Sequence, residues 1–321
     1  MIVVTGAAGF IPSCLITKLN EEGYKAIVAV DDFSIPAKSK NFSGKDISLF
    51  IDRKIFPKWL KDNAMEVEFV FHLGARTDTT EPSVAIFDEL NLNYSKTVWE
   101  VCTKFQIPLV YASSAATYGN GEFGYSDDVS RINSLVPLNP YAQSKHDFDR
   151  WVLDQEKAPF FWAGLKFFNV YGPNEYHKGK MASVIFHATR QIQSSGKMKL
   201  FQSHKEGIQN GHQMRDFVYV KDVIDVCFWL MNHRKNSSIY NLGSGQARTF
   251  LDLVNNTFAS LNVEPDIEFI PTPIEIRDSY QYFTEADMRK IRSVGYEQAF
   301  YTLEDGIKEY VKDYLISEKY Y

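Results

Sequence analysis

The sequence predicts an α/β fold, a doubly wound parallel sheet joined to a smaller, mainly C-terminal α/β domain. Two observations carry that prediction. Short, almost wholly apolar runs alternate with longer helix-like segments through about residue 170, and a glycine-rich turn directly follows the first run. Near-continuous apolar strands separated by helices indicate a parallel sheet covered on both faces. The expected strands are Ile2–Thr5, Ala26–Asp31, Phe69–Leu73, Leu109–Ser113 and Trp162–Phe168; the expected helices are Ile11–Glu22, Val84–Phe105 and Tyr141–Lys157.

Beyond residue 170 the alternation loosens. A helix is expected near Met181–Ser195, a strand running into a helix at Arg215–Val223, and a strand at Ser238–Leu242 that rejoins the main sheet. An extended piece around Ile267–Pro273 and a helix from Leu303 follow. The expected division is a larger domain from 1–170 plus about 221–250, and a smaller one from about 171–220 plus 251–321, with a crevice between them.

A chain of 321 residues suits one large domain or two. Its net charge of −5 argues against general nucleic-acid binding, which needs a basic footprint. Cys14, Cys102 and Cys227 are widely spaced, with no Cys-x-x-Cys or Cys/His cluster. That pattern points away from a disulfide scaffold or a metal site and toward small buried hydrophobes in a reduced compartment. The apolar start Met1–Val4 is too short for a signal peptide or a membrane span, so a cytoplasmic protein without a membrane partner is expected.

Thr5-Gly6-Ala7-Ala8-Gly9-Phe10-Ile11-Pro12 sits between an expected strand and an expected helix, the context of a Rossmann-type dinucleotide-binding turn. Gly6 permits the tight turn and Gly9 lets backbone approach a pyrophosphate, which the helix start attracts. Pro12 stands where a third glycine is usual; it costs no hydrogen bond in the first helical turn but adds bulk there. The second strand ends in Asp31-Asp32. A carboxylate there favours NAD by repelling a 2′-phosphate, whereas Lys38, Lys40 and Arg53 downstream can neutralise one, so the residues leave NAD and NADP open.

Tyr141 and Lys145 lie four apart in a helix-compatible stretch and share one face. A cation beside the phenol is expected to favour the phenolate and pull its pKa down from about 10 toward the working range. Ser114 follows the fourth strand, at the sheet edge where ligands gather, and can bridge a substrate oxygen to Tyr141.

This trio, with the turn at Gly6, resembles the extended short-chain dehydrogenase/reductase family, which includes nucleotide-sugar epimerases and dehydratases. The dehydratases usually carry an Asp-Glu pair after the serine segment; Ala115-Ala116 stand here, which disfavours elimination of water. Longer stretches resemble the ADP-L-glycero-D-manno-heptose 6-epimerases: Ser113–Gly119, Phe168–Pro173, His177–Val184, Arg215–Val220 and Tyr280–Thr284. That likeness implies epimerisation at C6 of ADP-D-glycero-D-manno-heptose for the lipopolysaccharide inner core. It also implies a bound NADP (NAD possible) and a homo-oligomer, typically a pentamer. Tyr141 and Lys178 are implied as the two acid/base groups, with Ser114 assisting and Lys145 anchoring the cofactor.

For the cofactor the likeness adds Phe10, Ile11, Asp31, Asp32, Lys38, Arg53, Leu73, Gly74, Ala75, Arg76, Thr77 and Asn91 to Gly6 and Gly9. For the substrate it implies Asn169, Val170, Lys180, His187, Phe201, Gln202, Ser203, His204, Arg215 and Tyr280. Asp32 stands where an uncharged amide is common, and Lys180 where a small polar residue is usual. On chemistry alone Lys178 is either a base with a depressed pKa or a surface partner for a diphosphate. Two alternatives remain: a UDP-sugar 4-epimerase or reductase on the same fold, and a catalytically silent dinucleotide sensor. Retention of Ser114, Tyr141 and Lys145 weighs against the sensor.

Overall fold

The computed structural model describes residues 1–277 and 280–321. Its strands are β1 (Ile2–Thr5), β2 (Ile27–Asp31), β3 (Leu49–Asp52), β4 (Phe69–His72), β5 (Leu109–Ser114), β6 (Trp162–Phe167), β7 (Asn169–Tyr171), β8 (Met198–Phe201), β9 (Met214–Tyr219), β10 (Ser238–Leu242), β11 (Ala247–Thr249) and β12 (Ile267–Ile270). Its helices are α1 (Phe10–Glu21), α2 (Phe56–Asp62), α3 (Val84–Phe87), α4 (Tyr94–Phe105), α5 (Pro140–Leu153), α6 (Val184–Ser195), α7 (Val220–Asn232), α8 (Phe250–Leu261), α9 (Ile274–Arg277), α10 (Arg289–Ser293) and α11 (Leu303–Glu309).

Seven strands form one sheet in the order β10-β6-β5-β4-β1-β2-β3, every neighbouring pair parallel. This is the Rossmann-type doubly wound sheet that the sequence predicts. Side chains alternate across it: Ile2 and Val4 join one apolar cluster with α1 and α7, while Val3, Val28 and Val30 join the other with Trp99 and Phe148. The strand order reverses between β1 and β4, so the carboxyl ends of β1, β4 and β5 frame the place where ligands bind such sheets.

The expected strands stand within a residue of their observed bounds, and β10 rejoins the sheet beside β6. Two differences have physical reasons. The edge strand β3 was not expected, because its apolar run, Leu49–Ile51, is only three residues long and only Ile51 of the four is buried. The third expected helix ends at Leu153 rather than Lys157, because the chain turns off toward Pro159, which disfavours helical geometry just before it. The long helix expected over Val84–Phe105 is a single helical run, with a π-helical segment at Asp88–Asn93 between α3 and α4. Such insertions often accompany functional side chains, and this one carries the buried Asn91.

The remaining strands build two small sheets. β9 pairs parallel with β7 and antiparallel with β11, and β12 pairs parallel with β8. Helices α6 and α11 pack on α8, whose N-terminus is closed by a Thr249–Asp252 capping box. The apolar core runs without a break from the main sheet into these elements.

Candidate active site

Gly6 takes a φ of +70° in the turn after β1, a conformation that disfavours residues with a Cβ. A Cβ there would also lie 2.6 Å from Gly74 Cα, so the two loops cross backbone to backbone. The crossing is pinned by the Gly74 N–H donating to Thr5 Oγ1 at 3.0 Å. Helix α1 starts at Phe10 with Gly9 as its N-cap, and its first turn closes with the Ser13 N–H donating to the Gly9 carbonyl at 3.2 Å. Phe10 and Ile11 therefore present the amides that a helix start leaves for an anion. Pro12 is buried, so its bulk goes into the helix packing.

Asp31 clamps this turn. Its Oδ2 accepts the Ala8 N–H at 2.9 Å, and its Oδ1 accepts the Asp32 N–H at 2.7 Å and lies 3.2 Å from Lys38 Nζ. Asp32 instead accepts from the Ser34 hydroxyl at 2.5 Å and faces Arg53 at 3.9 Å. The Ser34 bonds, aided by Arg53, hold its carboxyl below the usual carboxylate range. Beside the turn, buried Asn41 donates to the Ala8 carbonyl, while its Oδ1 has no partner among the described residues. Asn91 Oδ1 accepts the Arg76 N–H at 2.8 Å, and its amide donates to the Arg76 carbonyl and to Ser144 Oγ. That doublet shapes the Leu73–Thr77 loop. The glycine crossing, the open amides and the orphaned Asn41 oxygen fit a nicotinamide dinucleotide.

Helix α5 starts cleanly because Asn139 caps it, accepting the Ala142 N–H at 2.8 Å, and Pro140 is its first residue. That start sets Tyr141 against Ser114 at the end of β5. Ser114 Oγ accepts the Ala116 N–H at 3.1 Å, which leaves its own proton to donate. Burial pushes the Tyr141 pKa up, and the Ser114 hydroxyl opposes that rise. The expectation that Lys145 lowers it is not met. Lys145 Nζ donates to the Ala112 carbonyl at 2.7 Å, and desolvation of the phenol dominates. Burial brings Lys145 itself down to about 8, against the opposing pull of Asp149.

Lys178 lies on the turn Tyr176–Met181, its Nζ 5.1 Å from the centroid of the Phe10 ring. Burial lowers its pKa, and Glu175 resists. The apolar setting thus supplies the shift; neither His177 nor Lys180 contributes. His177 shares a 3.1 Å hydrogen bond with Asn41 and is brought down to about 4, chiefly by burial. Lys180 is exposed and acts weakly on Asp78.

The expected substrate residues separate into two groups. Phe201, His204, Arg215 and Tyr280 form one cluster: the Tyr280 ring lies 6.5 Å from Phe201, 5.9 Å from His204 and 5.5 Å from the Arg215 guanidinium. Arg215 is buried and already donates to the carbonyls of Met214 and Gln281, so it grips the Gln281 segment as well as facing the rings. Gln202 and Ser203 lie in the chain between Phe201 and His204; the Gln202 carbonyl accepts from the Thr272 hydroxyl and the Ser203 N–H donates to Asn210 Oδ1. Asn169 and Val170 lie on β7, paired with Phe217 and Val218, and His187 meets the Phe186 ring on α6. Among the described residues no hydrogen bond, ion pair or ring contact joins these three to the Arg215 cluster, or Lys178 to Tyr141. An open hollow of about 780 Å³ between Tyr125, Glu285 and Arg292 is lined by none of the expected residues. The chemistry, rather than this hollow, locates the site.

Sequence reasoning missed several polar groups that shape the site. Glu175 is buried and accepts from the Ser183 N–H, the Ser183 hydroxyl and the Tyr310 hydroxyl, which moors the Lys178 turn to the N-cap of α6 and to the residue that follows α11. Asp216 accepts from the Ser244, Gly245 and Ala286 amides. Asp149 and Lys166 form a buried ion pair behind Ser114 at 2.8 Å. Lys166 had a readable signal: a single charge inside the otherwise apolar strand Trp162–Phe167, which must find a partner. Among the described residues no group of His, Cys, Asp and Glu could hold a metal, and no helix is long and apolar enough to cross a membrane.

The chain matches the model of the NAD dependent epimerase/dehydratase family over residues 2–243. It is 46% identical to the ADP-L-glycero-D-manno-heptose-6-epimerase of Fusobacterium nucleatum, with 100% of each chain covered. The enzyme of the same name from Helicobacter pylori is 29% identical with a TM-score of 0.82, covering 97% of this chain and 95% of that one. MoeE5, solved with UDP-glucose and NAD, is 26% identical with a TM-score of 0.76 over 99% of both chains. With that sheet, that turn and that full-length likeness, this chain belongs to the NAD dependent epimerase/dehydratase family.

Proposed function

We propose that the protein interconverts ADP-D-glycero-D-manno-heptose and ADP-L-glycero-D-manno-heptose by transient oxidation and reduction at C6, supplying the heptose donor for the lipopolysaccharide inner core. One observation carries the reading: Ser114 and Tyr141 meet at the carboxyl end of β5 beside Ala115-Ala116, in a chain matching a heptose epimerase end to end.

The amides of Phe10 and Ile11, the Gly6–Gly74 crossing, Leu73–Thr77 and Asn91 hold the dinucleotide, and Lys145 anchors its ribose. When bound, that group supplies a hydride acceptor and then a donor. Tyr141 exchanges the proton of the C6 hydroxyl, with the Ser114 hydroxyl steadying the oxygen. Inversion needs a proton carrier on a second side, and Lys178, already deprotonating more easily than an ordinary lysine, takes that role. Arg215, Tyr280, Phe201, Gln202, Ser203 and His204 receive the ADP portion, with Asn169, Val170, Lys180 and His187 toward the sugar.

NADP is the cofactor and NAD is accepted. Lys38 and Arg53 offer charge for a 2′-phosphate, and Asp32 works against it. The enzyme acts in the cytoplasm as a homo-oligomer, for which the likeness suggests five subunits. Incubating purified protein with ADP-D-glycero-D-manno-heptose and following the product by NMR tests the function. Turnover of UDP-galactose in place of ADP-heptose would establish the 4-epimerase reading instead.

A further inference from the structure

Lys166 is 2% exposed and Asp149 fully buried, so each charge survives only through its partners. Lys166 Nζ lies 2.8 Å from Asp149 Oδ2 and donates to Thr117 Oγ1 at 2.6 Å. Thr117 Oγ1 in turn donates to the Ser114 carbonyl at 2.8 Å. On the other side Asp149 accepts from the Ser113 hydroxyl at 2.6 Å and the Tyr111 hydroxyl at 3.1 Å. A closed chain of polar contacts therefore grips both Ser113 and Ser114 from beneath the sheet. Asp149 also stands one helical turn beyond Lys145, on the same face of α5.

Apolar residues of equal volume usually stabilise a core as well as a buried ion pair does. The pair is therefore poorly explained by stability alone. We infer that Asp149, supported by Lys166, is a positioning residue for the reaction: it fixes Ser114 at the end of β5 and keeps Lys145 charged. The inference rests on the roles given above to Ser114 and Lys145.

The groups facing Lys145 bear this out. From β5 the Ala112 carbonyl accepts its proton, and from β4 His72 is held neutral, its pKa brought to about 3 by burial and by Lys145 itself. Tyr141 shares its helix and stays protonated. Asp149 is the opposite charge that favours the ammonium against burial. Without it, Lys145 gives up its proton at a lower pH.

The test compares wild type with Asp149→Asn, Asp149→Glu and the double variant Asp149→Asn/Lys166→Met. The double variant removes both charges together and leaves neither stranded, so it folds even if Asp149→Asn does not. The Lys145 titration is read by ¹⁵N NMR of lysine-labelled protein, assigned with Lys145→Met, alongside kcat against pH on ADP-heptose. The Lys145 titration and the alkaline limb of kcat should both move down by about one pH unit in the double variant, as expected for loss of a nearby opposite charge. Asp149→Glu should restore both. A folded double variant whose Lys145 titrates as in wild type overturns the inference, whatever its kcat. A wild type that ignores ADP-heptose while its Lys145 still shifts between variants strikes the substrate assignment and leaves this inference standing.

Discussion

Lys178 Nζ lies 5.1 Å from the centre of the Phe10 ring, so the second proposed proton carrier rests on the first residue of the helix proposed to receive the dinucleotide. The contact explains how a lysine on a short turn is held beside the start of α1. It also separates two roles for the residue. Lys178→Met keeps an apolar stem against Phe10 and removes only the amine. Turnover should fall by roughly 10²-fold or more in both epimer directions while dinucleotide stays bound, as for loss of a general acid/base. A raised KM with unchanged kcat would make Lys178 a diphosphate contact.

Tyr141→Phe keeps the edge-to-face packing on Phe87, 6.2 Å between ring centres, and deletes the proton carrier. Its kcat should drop by about 10²–10⁴-fold with an unchanged melting temperature. Because burial raises the Tyr141 pKa, the phenol alone is a weak base near neutrality. Single-turnover rates should therefore still climb as pH rises above 7. A flat profile across that range would show that Tyr141 does not carry the proton.

Which parts of this were legible beforehand follows from where the signal lives. β1, the glycine turn and α1 read directly, because an unbroken apolar strand, a residue with positive φ and a helix start are all local features. The Tyr141–Lys145 spacing read equally well, since helix geometry alone puts the two on one face. The direction of the Tyr141 shift did not. It depends on how much water the folded chain removes from the phenol, and on Lys145 turning to the Ala112 carbonyl, both products of tertiary packing. β3 was hidden because its apolar run, Leu49–Ile51, is too short to mark a strand, and at the sheet edge only one of its residues is buried. Glu175 and Asp216 were hidden because their partners lie far along the chain, at Tyr310 and Ala286.

Cofactor preference should respond to Asp32 and stability of the turn to Asp31. Asp32→Asn removes a charge that faces Arg53 and that would repel a 2′-phosphate. The ratio of NAD to NADP dissociation constants should shift toward NADP by about tenfold, roughly 1.4 kcal/mol, in a fluorescence titration. Asp31→Ala should instead weaken both cofactors alike, because it frees the Ala8 amide and Lys38 together. Loss of a charged hydrogen bond of that kind costs about 1.5–3 kcal/mol. Equal, small effects from both substitutions would remove Asp32 as a discriminator.

His72 makes the fold sensitive to acid. Its two nitrogens are engaged by Thr5 Oγ1 and Ser95 Oγ, each at 2.9 Å, and burial with the nearby Lys145 brings its pKa to about 3. An unfolded histidine titrates near 6.5. Between those values the unfolded chain binds the extra proton, so this contribution to stability is complete above about pH 6.5 and shrinks as pH falls toward about 3. His177, brought to about 4, acts in the same direction. Glu175 and Asp216 act in the opposite one, since burial raises their carboxyls and the folded state takes protons first. The His72 share is isolated by difference. His72→Gln can still reach Thr5 and Ser95 but does not titrate, so its unfolding free energy should lose less on going from pH 7 to pH 5. The gap between the two proteins should close by roughly 1.4 kcal/mol for each pH unit below 6.5. Parallel denaturant curves at every pH would mean that His72 takes up its proton without unfolding the turn at Gly6.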